Sequence, residues 1–112
     1  MRSIPELLAD ARDHARRATR HVGDLSSADF AADAMRCEAV CFCLVVVDEA
    51  CDAVARQLPK LPPGIPWREV EGMRNILIHE YWNIDPSIVY HVARNEAEPL
   101  AKQLEEFIAM LA

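Results

Sequence analysis

Hydrophobic residues recur every three or four positions along much of this 112-residue chain. This spacing is typical of amphipathic helices, and no segment sustains the alternation of apolar and polar residues that marks a half-buried strand. Glycine is also scarce, at 3 residues. The first segment illustrates the pattern, with apolar positions at Leu7, Leu8, Ala11, Ala15, Ala18 and Val22. The pattern therefore predicts an all-α protein.

Capping signals place the ends of the first two predicted helices. Ser3-Ile4-Pro5-Glu6 has the form of a capping box with a proline early in the first turn, and Gly23 suits the end of that helix. Ser26 and Ser27 then offer N-caps for a second helix, which we expect to run from about 28 to 58. The signals thus predict a short loop followed by a long helix.

Prolines organise the second half of the chain. The segment PKLPPGIP (59–66) is neither helix nor central strand, because proline lacks an N–H donor and biases its neighbours to extended conformations. Pro66 suits the first turn of a third helix, about 66–82, and Asp85-Pro86 begins the last helical segment. We expect Pro99 to kink or interrupt that last segment.

The chain length suits one domain, so we expect residues 1–112 to form a single up-and-down bundle of four to five helices. Within the second helix, residues 41–47 (CFCLVVV) are apolar on every side. A helix that is apolar all round is buried all round, and one small bundle rarely covers every face. We therefore expect a homodimer, with a purely intramolecular core as the alternative. The same run is far too short to span a membrane.

Charge and cysteine content limit the function classes. The net charge of −6 disfavours general affinity for nucleic acids, but residues 1–22 carry five arginines against three acids. The N-terminal residues show no charged-then-apolar signal pattern, so we expect no export and a cytoplasmic location. The four cysteines are then expected to be reduced thiols.

The cysteines and the large aromatic residues are most simply core. Structural zinc sites usually draw ligand pairs from turns, so one C-x₃-C pair in an apolar helix is weak evidence for metal. We expect no metal and no other cofactor. The residues concerned are Cys37, Cys41, Cys43, Cys51, Phe30, Phe42, Trp67, Trp82 and Phe107. The two tryptophans bracket residues 74–81 and can alternatively shape a site there.

Arginines form a stripe on the first helix at Arg12, Arg16 and Arg20, with i, i+4 spacing. Their charge can contact RNA phosphates. The alternative is a solvated face on which the arginines pair with Asp10 and Asp13. The stripe by itself identifies no function.

Two acids, Asp48 and Glu49, directly follow the apolar run. An acid at such a position is expected to have a cationic partner, because burying an unpaired charge is costly. Two alternatives are open: a buried ion pair, or acids that orient a functional arginine or histidine.

The segment RNILIHEYW (74–82) sets polar groups among apolar residues in the predicted third helix. At about 100° per residue, Arg74 and Tyr81 fall on one face, and Asn75 and His79 form a neighbouring pair. Arg74 and His79 are about 140° apart, so the helix alone does not bring their head groups together, although a long arginine side chain can reach round. Two copies of the helix across a dimer axis can line one cleft with both pairs.

The residue types in this segment indicate a definite chemistry. Arginine is a planar, permanently charged fork that matches phosphate oxygens, and histidine transfers protons near neutral pH. The sequence shows no cluster of carboxylates of the kind that holds two metal ions. The segment therefore indicates metal-independent cleavage of a phosphate ester, with a hydrogen-bonded structural network as the alternative.

The same residues carry a family resemblance. R-N-I-L-I-H-E-Y has the form R-x₄-H-x-Y and resembles the motif of the HEPN superfamily, and within it the HepT-like toxin ribonucleases. The flanking segments IPWREVEGMRN and YWNIDPSIVY agree, as does DEA (48–50), where the group usually has an acid within G-E-A. The resemblance covers about residues 30 to 105. One departure is Asp48, which stands where the group usually has glycine.

The resemblance implies a helical homodimer in which two motif copies face one cleft, and a metal-independent endoribonuclease. It implies that Arg74 holds the RNA phosphate, that His79 serves in acid–base catalysis, and that Asn75 supports both. Such proteins are toxins paired with an antitoxin, a small nucleotidyltransferase of the MNT type, which silences them by transferring AMP to the motif tyrosine, here Tyr81. The alternative is a non-catalytic helical module that assists a nucleotidyltransferase.

Overall fold

The protein is all-α, as the apolar spacing predicts. The computed structural model describes residues 2–111, and helix accounts for 82% of the structure, with no strand in the described part. The helices are α1 (Ile4–Val22), α2 (Ser27–Ala31), α3 (Ala34–Gln57), α4 (Trp67–His79), α5 (Pro86–His91) and α6 (Ala97–Leu111). A 3₁₀ turn, Tyr81–Asn83, follows α4, and a π turn, Val92–Glu96, joins α5 to α6 into one rod.

The predicted capping devices are present. The Ser3 hydroxyl accepts a hydrogen bond from the Glu6 backbone N–H, and the Glu6 carboxylate accepts one from the Ser3 backbone N–H, so the capping box is complete. Gly23 ends α1 with a φ of 56°, a conformation that favours glycine. Asp85 caps α5 by accepting from the backbone N–H of Ser87. These local signals are confirmed.

The long second helix expected over 28–58 is two helices. α2 ends at Ala31, and Asp33 begins α3 by accepting a hydrogen bond from the Arg36 backbone N–H. The break turns Phe30 into the core, where its ring centroid lies 5.7 Å from that of Tyr90. The continuous helix was therefore a wrong prediction, because the second capping site and the burial of Phe30 together favour a turn.

Pro99 does not end the last helical segment. The chain stays helical from residue 86 to residue 111, and the irregularity is the π turn Val92–Glu96, just before the proline. Because proline has no N–H, Pro99 cannot donate the regular α-helical hydrogen bond to the carbonyl of Asn95, four residues earlier. The wider π turn therefore breaks no α-helical hydrogen bond at that carbonyl.

α1 packs against α3 and α6, and α3 also packs against α4. The core has two parts along the bundle. One contains Leu8, Val54 and Leu104, and the other contains Val22, Phe30 and Val40, all of them fully buried. None of the helices over residues 2–111 is both long and apolar enough to cross a membrane.

The apolar run 41–47 is not buried on every side within one chain. Cys43, Leu44 and Val47 are buried, but the Phe42 side chain is 63% exposed. Met35, two turns earlier on α3, is 82% exposed. One face of α3 is therefore left largely uncovered, although the ring of His14 on α1 meets that of Phe42 edge to face, with centroids 6.3 Å apart.

The remaining core predictions divide. Phe30, Phe107, Cys43 and Cys51 are buried, and Cys37 and Cys41 are half-buried. Trp67 packs against the edge of the core. The prediction was wrong for Phe42 and for Trp82, both of which are exposed.

Candidate active site

α4 carries the motif, but it ends earlier than the sequence predicts. The helix stops at His79 instead of continuing to 82, and Glu80 has φ −128° and ψ 39°, outside the helical region. Tyr81 and Trp82 lie in the following 3₁₀ turn. Tyr81 therefore does not share a helical face with Arg74, and the prediction that it does was wrong.

Arg74 is held by Glu49. Its Nε donates a hydrogen bond of 2.6 Å to the Glu49 carboxylate, which comes from α3, 25 residues earlier. The Arg74 side chain is 27% exposed and that of Glu49 is 45% exposed, so this ion pair is not a buried one. The hydrogen bond and the charge of Glu49 raise the pKa of Arg74 above its ordinary value. Of the two alternatives for the acids, Glu49 thus matches the one that orients an arginine.

The two terminal amino groups of the Arg74 guanidinium have no hydrogen-bond partner in the described part of the chain. Among residues 2–111, the structure records a hydrogen bond at Nε but none at either terminal amino group. Because the guanidinium is planar, fixing Nε also fixes the direction in which the two amino groups point. A phosphate can be bound there by two parallel hydrogen bonds without disturbing Glu49.

Asp48 is buried without a hydrogen-bond partner for Oδ2 in the described part of the chain. Its side chain is only 3% exposed. Burial raises the pKa of Asp48 to about 8, an effect that the charge of Arg74 opposes and that of Glu49 reinforces. The carboxyl is therefore mostly protonated at neutral pH, and the expected cationic partner acts on it only at a distance.

The other motif side chains are exposed and separate. Asn75, His79 and Tyr81 face solvent, and no hydrogen bond to any of their side chains is recorded within residues 2–111. His79 follows Arg74 by five residues, which places the two side chains about 140° apart around α4. One chain thus brings together Arg74, Glu49 and Asp48, and leaves His79 and Asn75 on neighbouring faces.

The arginine stripe of α1 is largely neutralised. Arg12 pairs with Asp13 at 2.9 Å, and Arg16 pairs with Glu105 at 2.9 Å and with Glu98 at 3.7 Å. Arg20 is exposed and has no ion pair within residues 2–111. The stripe is a charged face that matches the solvated alternative in part: Arg12 pairs with Asp13 as expected, whereas Arg16 pairs with two acids of α6. Of the three arginines, Arg20 is the one that has no ion pair in the described part of the chain and is open to an RNA phosphate.

A cleft of about 420 Å³ lies beside the motif but is not lined by it. Its lining includes Asp48, Asp52, Glu69 and Glu71, with Trp67 and Arg68. The charges of Asp52, Glu69 and Glu71 repel phosphate, so the cleft does not suit an RNA backbone.

No metal ligand set emerges from the cysteines. Burial raises the pKa of Cys41 and of Cys51 to about 12, so both thiols are protonated at neutral pH. Residues 2–111 contain no group of three or more His, Cys, Asp or Glu side chains placed to hold a metal ion.

Comparison with known proteins decides the family. The profile of the family described as "Ribonuclease HepT-like" matches residues 11–107. The chain belongs to the HepT-like ribonuclease family. This confirms the resemblance seen in R-x₄-H-x-Y and its flanks, and the matched segment includes α3, α4 and both acids beside Arg74.

Relatives of this HepT-like chain carry consistent names. The protein "Putative RNase MJ1380" of Methanocaldococcus jannaschii is 27% identical over 93% of this chain and 95% of its own length. "Putative RNase TTE0752" of Caldanaerobacter subterraneus is 30% identical over 78% of each chain. "Probable ribonuclease HepT" of Thermococcus cleftensis is 27% identical over 94% of this chain and 96% of its own. No solved structure matches the chain significantly.

Sequence reasoning missed two features of this HepT-like site. It did not find that Glu49, not Asp48, contacts Arg74, because both acids follow the apolar run and only the packing of α3 against α4 separates them. It also placed Trp82 in the core, because it extended the third helix to residue 82, whereas Trp82 lies exposed in the 3₁₀ turn after α4.

Proposed function

We propose that this chain is a metal-independent endoribonuclease that works as a homodimer, and that it is the toxin of a toxin–antitoxin pair. The observation that carries the proposal is the Arg74–Glu49 contact, which leaves the amino groups of an oriented guanidinium open to a phosphate on the helix that also bears His79. Membership of the HepT-like ribonuclease family supports RNA as the substrate.

The chemistry is transfer of a phosphoryl group within the RNA. His79 removes the proton of the ribose 2′-hydroxyl, and the 2′-oxygen forms a bond to the adjacent phosphorus. The bond from phosphorus to the 5′-oxygen breaks, and the protonated His79 of the partner subunit gives a proton to that oxygen. Arg74 stabilises the charge that develops on the phosphate oxygens, while Asn75 positions the reacting groups. The products are a 2′,3′-cyclic phosphate and a 5′-hydroxyl.

An exposed line of residues along α3 supports the homodimer. Met35 and Phe42 are exposed apolar residues, and Glu49 follows them at the same seven-residue interval. Residues seven apart lie within about 20° of each other around a helix, so the three form one line along α3. The exposed apolar strip therefore leads to the Arg74–Glu49 pair, and a second copy packed on it brings two motifs to one cleft. This shared cleft contains both Arg74–His79 pairs, one from each chain.

Tyr81 supports the proposed form of inhibition. Its side chain is 69% exposed beside the motif, so a nucleotidyltransferase antitoxin of the MNT type can reach the hydroxyl and transfer AMP to it. The added phosphate is negative and bulky, and it opposes entry of a polyanionic RNA into the cleft.

The test is cleavage of end-labelled tRNA and mRNA by the purified protein in EDTA. We expect wild type to leave 2′,3′-cyclic phosphate ends, and His79→Ala or Arg74→Ala to lower the rate by about 10²- to 10⁴-fold while the dimer stays intact. His91→Ala and Arg68→Ala are matched controls, since both side chains are exposed and neither belongs to the motif: His91 ends α5, and Arg68 lies in the first turn of α4. Intact mass on the same sample shows whether an AMP adduct is present. Equal cleavage by wild type and His79→Ala contradicts the catalytic roles, and no cleavage by an unmodified dimer favours the non-catalytic module.

A further inference from the structure

Trp82 has an environment unlike that of the other tryptophan. Its side chain is 73% exposed, and no hydrogen bond to its indole is recorded within residues 2–111. Trp67, in contrast, packs against the core and donates its Nε1 hydrogen to the carbonyl of Pro62 at 3.1 Å. Trp82 thus offers a large, flat, apolar ring that a ligand can cover.

The Trp82 ring contacts the ring of its neighbour, Tyr81. The rings of Tyr81 and Trp82 meet edge to face, with centroids 5.5 Å apart and planes at 84°. In this arrangement the edge of one ring meets the face of the other, so at least one face of the indole is open whichever ring supplies the edge. Trp82 therefore presents a flat apolar surface to solvent.

The position of this surface relates it to the motif. Trp82 follows His79 by three residues, so the Cα atoms of the two lie at most about 11 Å apart. A nucleotide whose phosphate lies at Arg74 and His79 has its own base, or that of the next nucleotide, within this reach. The distance fits a contact with a base, and it is too short for Trp82 to serve an independent site.

The surrounding charges favour a base over a phosphate at Trp82. Glu80 and Asp85 flank the 3₁₀ turn on either side, and both side chains are exposed. Carboxylates repel a phosphate, but they do not repel an uncharged base. They can also accept hydrogen bonds from the amino groups of a base. If this turn formed a symmetric dimer contact, Glu80 and Asp85 would lie opposite the same two acids of the second chain, and the like charges would repel. The exposed apolar strip that suits a dimer contact lies instead on α3.

We propose that Trp82 stacks on an unpaired base of the RNA, next to the phosphate that is cleaved. A base in a duplex is already stacked on both faces, so the site selects RNA that is single-stranded at the point of cleavage. The inference rests on the proposed ribonuclease function and adds to it the class of substrate.

The test separates binding from cleavage. In a protein with Trp67→Phe and His79→Ala, Trp82 is the one remaining tryptophan and the RNA stays intact. Its fluorescence should be quenched by a single-stranded oligoribonucleotide and not by a duplex of the same sequence. In the Trp67→Phe protein with His79 restored, Trp82→Ala should raise KM for the oligonucleotide by about 5- to 100-fold with a smaller change in kcat, and Trp82→Phe should recover most of the loss. Ile88→Ala, which shortens an exposed apolar side chain without removing a ring, is the matched control.

Several results would overturn the proposal. Equal quenching by single strand and duplex removes the substrate preference, and equal quenching by free AMP shows a mononucleotide ligand instead of RNA. A weaker dimer in Trp82→Ala, measured by sedimentation, assigns the ring to the subunit interface. Absence of cleavage together with quenching by single-stranded RNA leaves the stacking site standing and refutes only the proposed enzyme.

Discussion

Replacing Asp48 with asparagine should make stability less dependent on pH. The Asp48 side chain is 3% exposed and its Oδ2 has no hydrogen-bond partner within residues 2–111. Burial raises its pKa from an ordinary value of 3.8 to about 8. Folding therefore requires this carboxyl to take up a proton at neutral pH, and that requirement lowers the free energy of unfolding.

The size and sign of the effect follow from proton linkage. A group whose pKa is higher in the folded state than in the unfolded state stabilises most at low pH, and stability falls as pH rises between the two values. The fall is about 1.4 kcal/mol per pH unit from about pH 4 to about pH 8. At pH 7 the cost is on the order of 4 kcal/mol, a large share of the total stability of a small domain.

The Asp48→Asn variant has nearly the same shape and no proton to gain. Its free energy of unfolding should equal that of wild type within about 1 kcal/mol near pH 4.5 and exceed it by a few kcal/mol at pH 8. Loss of the attraction to Arg74 reduces the gain slightly, since that charge lowers the pKa of Asp48.

The assay is urea unfolding followed by circular dichroism, from pH 4.5 to pH 8.5, at two protein concentrations that separate any contribution from dimerisation. Asp52→Asn is the matched control, because Asp52 lies one turn along α3, is partly exposed and pairs with Arg56 at 3.3 Å. That control should change the free energy of unfolding by less than about 1 kcal/mol at each pH. Parallel pH profiles for wild type and Asp48→Asn would refute the reasoning and show that the carboxyl is solvated in the folded state.

Three other changes test the proposed site. Glu49→Gln should lower kcat/KM for RNA cleavage by about tenfold, because a neutral amide holds the Arg74 guanidinium less firmly; unchanged kinetics would show that Arg74 needs no such support. Phe42→Glu should dissociate the homodimer in sedimentation velocity and abolish cleavage without unfolding the chain, since its side chain is 63% exposed; a dimer that persists places the interface elsewhere. Tyr81→Phe should leave cleavage within about twofold of wild type but block incorporation of labelled AMP by the nucleotidyltransferase, whereas a labelled Tyr81→Phe protein would exclude this tyrosine as the acceptor.

What the sequence determined by itself is the set of features that depend on neighbouring residues. The capping box at Ser3 and Glu6, the glycine that ends α1 and the Asp85-Pro86 start of α5 were all predicted correctly. Each depends on hydrogen bonds or backbone preferences within a few residues. The R-x₄-H-x-Y motif likewise identified the family, which the profile match confirms.

What only the tertiary structure decided is how distant segments meet. The contact between Arg74 and Glu49 joins residues 25 positions apart, and no local signal distinguishes Glu49 from Asp48 as the partner. The packing of α3 against α4 sends one carboxylate to the arginine and buries the other. The same holds for Phe42 and Trp82, two apolar residues that the packing leaves exposed. Burial is a property of the whole assembly of helices, so the apolar character of a residue predicts a tendency and packing decides the outcome.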